Sequence, residues 1–257
     1  MSRWSLDRWL IFAVLVAGAS LVQFVVGCAL AIHHYPGGDF RATLRPAIVT
    51  QEYHWQHNWL SDLGRDRTWT GQKNATSASY FNRSIIALGL GLAIFFSIFH
   101  RSSDESTWES TAIELCGLTA SAGLIVLGFT PVDRLYLMHH VGLLLWIVPM
   151  PLMSIFFAIA CFRSGGRLGQ LTGVIAALLF VAMTIAILAY ALAGTRTGYV
   201  IQQKIVVGIS LVWFAVVLLR VAATSIQIVH RSRQEWIDEQ ARQYSAKLMR
   251  RKRWIKD

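Results

Sequence analysis

Two polar clusters in this chain carry side chains able to do chemistry. The first is His57-Asn58-Trp59-Leu60-Ser61-Asp62-Leu63-Gly64, and the second is Pro131-Val132-Asp133-Arg134 followed by His139-His140. Imidazole nitrogens and carboxylate oxygens are the usual ligands of a catalytic zinc that keeps one position open for water. His54, His57, Asp62, Asp133 and either His139 or His140 supply such atoms, with Asp62 and His140 as candidate catalytic residues. Spacing alone does not choose between the paired histidines. They stand about 100° apart on a helix, so one of them points inward.

The same residues fit two other chemistries. In one, Asp62 orients an imidazole across the mouth of a helix bundle and Asn82 or Arg83 completes the network. That is a structural clasp, and it answers the need of every desolvated polar group for a partner. In the other, Arg65, Arg83, Arg134, Arg196 and Lys204 meet an anionic lipid headgroup. Arg196 lies in Gly194-Thr195-Arg196-Thr197-Gly198, a short turn whose backbone can approach a ligand closely. The order of preference is clasp, headgroup site, metal centre. Ser61 beside Asp62 makes no catalytic triad, and Ser61 to Gly64 reads as a turn. The acceptor patterns at Asn74-Ala75-Thr76 and Asn82-Arg83-Ser84 are read as chance glycosylation matches.

The elements that must position these groups are apolar. Of 257 residues 54% are hydrophobic and only 15% charged, in long uncharged runs rather than the amphipathic periodicity of a soluble domain. Six runs reach the length of about 20 residues that a bilayer requires. They cover Trp9–Ile32, Ser84–His100, Thr111–Thr130, Leu135–Phe162, Leu168–Ala193 and Tyr199–Ile226. The fold class is therefore all-α: a six-transmembrane-helix bundle, residues 1–228, followed by a basic amphipathic tail, residues 229–257. Pro149 and Pro151 must kink or locally unwind the fourth span. Small residues in the third (Gly117, Ala120, Ser121, Gly123) and the fifth (Gly169, Gly173, Ala176, Ala177) fit close helix packing. Glu114 is the one carboxylate expected inside an apolar segment, reaching up to the inner interface.

The long connection at about residues 33–83 is rich in aromatics and is expected to hold a short interfacial helix around Ala47–Leu60. Parity places it on one side with the Asp133 turn and the Arg196 turn, so both clusters share a face. From Val229 onward nine Lys or Arg stand against four Asp or Glu. This tail faces anionic inner-leaflet lipid, either lying on it or as a solvated extension of the last span, and puts both termini in the cytoplasm. No recognition motif for nucleic acid accompanies it. Cys28, Cys116 and Cys161 all sit in apolar runs and form no disulfide or thiolate framework. Val25-Val26-Gly27-Cys28 has the form of a lipoprotein cleavage site, but the apolar run continues past it, as in an uncleaved span.

The motifs carry a resemblance. Ser61-Asp62-Leu63-Gly64, Phe81-Asn82, Gly128-Phe129-Thr130-Pro131 and His140-Val141-Gly142 are similar to the signatures of domain of unknown function 998, within the wider Frag/DRAM/Sfk group of six-span membrane proteins. The resemblance runs from about Trp9 to Ile226. It implies six helices, an outer polar site of Ser61, Asp62, Asn82 and His140, and a lipid-related role. His54 and His57 fall outside that pattern.

The expected function is a multi-pass cell-membrane protein that binds lipid or a partner protein through its outer polar rim. Its ligand-binding residues are Ser61, Asp62, Arg65, Asn82, Arg83, Asp133 and Arg196. The alternatives are a zinc-assisted lipid hydrolase or acyl transferase, with metal ligands from His54, His57, His139 and His140, and a transporter.

Overall fold

A computed structural model describes residues 3–44, 50–99, 108–163, 167–192 and 196–254. The described chain is helical, with one isolated bridge between Arg67 and Lys73 as its only extended pairing. The helices are α1 (Arg3–His33), α2 (Ala75–Phe96), α3 (Trp108–Phe129), α4 (Tyr136–Ile147), α5 (Pro149–Arg163), α6 (Arg167–Leu192) and α7 (Arg196–Trp254). Counting α4 and α5 together as Tyr136–Arg163, six segments are long and apolar enough to cross a membrane. Lipid leaves no water to satisfy a peptide group, so such segments must satisfy their backbones internally.

The helices close a ring. α1 packs on α2, α2 on α3, α3 on α5, α5 on α6, α6 on α7, and α7 back on α1, while α4 continues the wall from α3. Glycine permits the closest of these approaches. A Cβ on Gly123 would lie 2.6 Å from the Trp146 nitrogen and 2.7 Å from the Gly142 carbonyl, so α3 and α4 meet backbone to backbone. The fourth span is also interrupted at the expected prolines. Pro149, which has no N–H to give, opens α5 directly after α4 ends at Ile147.

Aromatic side chains fill the ring toward the chain termini. Phe96 packs on Phe214 at 6.3 Å between ring centres, Phe157 on Trp213 at 5.9 Å, and Phe99 on Phe157 at 6.3 Å. At that same end Glu109, 1% exposed, pairs with Arg163 and ties the start of α3 to the end of α5. Glu114, expected to reach up to the inner interface, is half-buried, and the fully buried carboxylate of α3 is Glu109.

Two expectations are corrected. α2 begins at Ala75 and not near Ser84, so Phe81 and Asn82 lie two turns inside it. Its polar first turns are helical because they pack on the preceding loop, a tertiary effect that hydropathy cannot register. Second, no helix forms over residues 50–59; residues 45–49 lie outside the described set. The Asn58 side chain accepts the His54 backbone N–H at 2.8 Å, closing a local turn that competes with helix. Two short 3₁₀ turns, Phe40–Thr43 and Leu60–Gly64, take its place.

Candidate functional site

The Leu60–Gly64 turn is the hub of the loop side. Asp62 is 1% exposed, and its Oδ2 accepts the Trp59 backbone N–H at 2.9 Å and the Asn58 amide at 3.3 Å. The Arg65 guanidinium stands 3.9 Å from the other oxygen and lies over the Trp69 ring. Burial pushes the Asp62 carboxyl up from 3.8 to about 6, against the pull of the Trp69 indole, Arg65, Asn58 and the Trp59 N–H. Asn58 is fully buried and donates also to the Gly38 carbonyl at 2.8 Å and to the Tyr35 hydroxyl at 3.3 Å.

Three sets of bonds fasten this turn to separate parts of the ring. Toward α2, the Asn74 amide donates to the carbonyls of Asp62, Leu63 and Arg65 at 3.3, 3.1 and 2.9 Å. Ser77 donates to the Leu63 carbonyl and Asn82 to the Gly64 carbonyl, at 3.1 and 3.0 Å. Gly64 must lack a side chain, since a Cβ there would lie 2.3 Å from Asn82 Oδ1. Toward α7, Leu60 N–H donates to Gln203 Oε1 at 2.7 Å and Lys204 Nζ to the Asn58 carbonyl at 2.5 Å. Toward the α3–α4 turn, Asp133 accepts the backbone N–H groups of Asp66 and Arg67 at 3.2 and 3.0 Å, and Arg134 pairs with Asp66. The two polar clusters of the sequence therefore meet, joined through Asp66 and Arg67.

The paired histidines diverge. His139 is buried and its Nδ1 lies 2.8 Å from the Thr130 carbonyl, closing the α3–α4 turn. His140 packs at a tilt on the Tyr136 ring, 4.1 Å between centres, and bonds the Tyr136 carbonyl within its own helix. The inward residue is thus His139, whereas the resemblance pointed to His140. His54 and His57 stack on each other at 4.5 Å beside Phe40, elsewhere in the loop. Burial, then Arg41 and His54, hold the His57 imidazole below its ordinary value. Among the described residues no three of His, Cys, Asp and Glu converge as a metal site would require.

The cations named as headgroup ligands are largely engaged. Arg65, Arg134 and Lys204 hold the partners given above; Arg83 is exposed, and the side chain of Arg196 lies outside the described set. Lys204 in addition sits under the Tyr53 and Trp55 rings, at 5.5 and 5.0 Å. Asn58, Asn74, Ser77 and Gln203 carry much of the hub, and the sequence reading gave none of them a role. Asn74 gave no signal of one, since it stood in a glycosylation pattern ten residues before the expected start of the second span.

No family model, curated protein or solved structure matches the chain.

Directly beneath the hub lies a slot of about 50 Å³ inside the ring. Leu60 and Ser61 roof it, and Phe24, Phe81, Ile85, Leu88, Leu124, Leu127, Leu143, Val207, Leu211 and Phe214 make its walls and floor. Polar groups enter it from facing helices: His139 and Trp146 of α4, Gln203 and Ser210 of α7. α4 packs on α3 and α5, and α7 on α1, α6 and the Leu60–Gly64 turn, so the two face each other across the slot with no extensive packing between them.

Proposed function

We propose that this chain is a multi-pass cell-membrane protein that binds a membrane lipid in the slot beneath its polar hub. The observation that carries this reading is the slot itself: apolar walls, a polar roof, and flanking helices that do not pack closely on one another. Cavities that bind small amphipaths are mostly apolar with a few placed polar groups. A site between weakly packed helices is also one that a lipid reaches sideways from the bilayer. The hub is the clasp that holds this roof, its charges spent on the protein's own backbone and side chains. With the hub outward, the basic residues of the tail fall on the cytoplasmic side together with both termini. There the first of them, Arg231 and Arg233, stand close to where α7 leaves the membrane and its anionic inner-leaflet lipid.

The test is native mass spectrometry of the full-length protein released from mild detergent. A lipid adduct is expected on the wild type and is expected to fall about tenfold in Ser210→Leu, which fills the slot from α7. A wild type without adduct, or an adduct that Ser210→Leu leaves unchanged, would remove this reading.

A further inference from the structure

Position along the facing helices sorts the polar groups of the slot into two levels. His139 and Trp146 are seven residues apart on α4, and Gln203 and Ser210 seven apart on α7. Both helices start at the hub, so each pair is separated by about 10 Å along its helix. His139 and Gln203 stand with Ser61 at the rim, and Trp146 and Ser210 lie deeper. A volume of about 50 Å³ holds about three to five water-sized groups. That volume admits a short stretch of one hydrocarbon chain and no second chain beside it.

The chemistry of the rim is uncharged. No Asp, Glu, Lys or Arg lines the slot. A carbonyl only accepts, so the bond to Thr130 requires Nδ1 of His139 to carry its proton. In the neutral ring Nε2 is then an acceptor. Gln203 spends its carbonyl on the Leu60 N–H, which leaves its NH₂ to donate. Ser61 supplies a hydroxyl that can do either. Acceptor, donor and hydroxyl together suit an alcohol, whereas a phosphate here would be a buried charge with no cation. At the deeper level the Trp146 indole N–H, in a side chain 6% exposed, has no protein acceptor, and a hydrocarbon chain there leaves it unpaired. Isolated water is poorly served there, because each buried molecule needs two to four polar partners and most of the lining is hydrocarbon.

We propose that the slot takes a single-chain lipid with an uncharged, hydroxyl-bearing head, the head held at the rim by Ser61, His139 and Gln203 and the chain running down between α4 and α7. This rests on the lipid-binding reading above and adds the class of lipid to it.

The experiment uses the full chain in nanodiscs with two photoreactive, alkyne-tagged probes of identical acyl chain, a monoacylglycerol and a lysophosphatidic acid. The monoacylglycerol is expected to label slot-lining residues of α4 or α7. Excess untagged monoacylglycerol should compete, and untagged lysophosphatidic acid should not. Ser61→Ala, melting as the wild type does, is expected to lower labelling about tenfold for the lost rim hydrogen bond. Should that variant fail to fold, the competition on wild-type protein decides. Equal or stronger slot labelling by lysophosphatidic acid would overturn the uncharged head and leave lipid binding standing. Wild-type labelling of a folded Ser61→Ala would overturn the rim assignment. Slot labelling by neither probe would overturn the inference alone if native mass spectrometry still shows a lipid adduct, and both readings if it does not.

Discussion

Asp62 is the residue on which the hub turns, and its environment sets a dependence on pH. Its carboxyl keeps its proton to about pH 6 in the folded chain but only to 3.8 as an ordinary aspartate. Between those values the folded state binds more protons than the unfolded one, so this group's stabilising contribution is full below 3.8 and is lost as pH rises through about 6. A shift of that size corresponds to about 3 kcal/mol. Asp62→Asn cannot titrate, so relative to the wild type it is expected to gain up to that amount of stability between about pH 4 and pH 7. Melting in detergent, followed by the fluorescence of the ten tryptophans, measures the gap. Comparing the two proteins at each pH cancels the opposing titration of groups such as His57. A gap constant over the range would show that Asp62 is not the buried acid described. Sequence made Asp62 conspicuous by type, but not Asn58 or Asn74, whose importance lies in the backbone groups that they satisfy. An asparagine in a loop is ordinary until its surroundings are known to be dry.

Among the elements, the six apolar segments were legible because hydropathy alone marks a stretch that must bury its backbone in lipid. The start of α2 was not, since Thr76, Ser77, Ser79 and Asn82 look like loop until the Leu60–Gly64 turn is laid against them. Neither was the choice between His139 and His140, which depends on a single carbonyl, that of Thr130, at the end of α3. The match of turn to helix makes a sharp expectation. Gly64→Ala would place its Cβ 2.3 Å from Asn82 Oδ1 and 2.8 Å from Phe81 Cδ1. It is expected to destabilise the protein by about 2 kcal/mol. A Cβ on Gly18 meets nothing within 4 Å, so Gly18→Ala is expected to cost nothing. Equal melting temperatures for the two variants would mean that the turn is not seated on α2 as described.

At the scale of the whole molecule, a ring of helices carries an aromatic fill at the terminal end and a polar roof at the loop end. The slot is what remains between fill and roof. α7 belongs to all three: Trp213 and Phe214 in the fill, Ser210 in the slot, Gln203 and Lys204 on the roof. It then continues without interruption to Trp254. The part beyond Thr224 adds about 45 Å of helical rise. The basic character of the tail was legible in sequence. The slot was not legible at all, because it is bounded by five helices and a turn whose residues lie up to 190 positions apart, from Phe24 to Phe214. The most direct measurement of the central claim is an experimental density map of the full chain in lipid nanodiscs. Elongated non-protein density should lie between α4 and α7, from beneath the Leu60–Gly64 turn down to Phe214. A slot closed by side chains, or holding only discrete water, would contradict it.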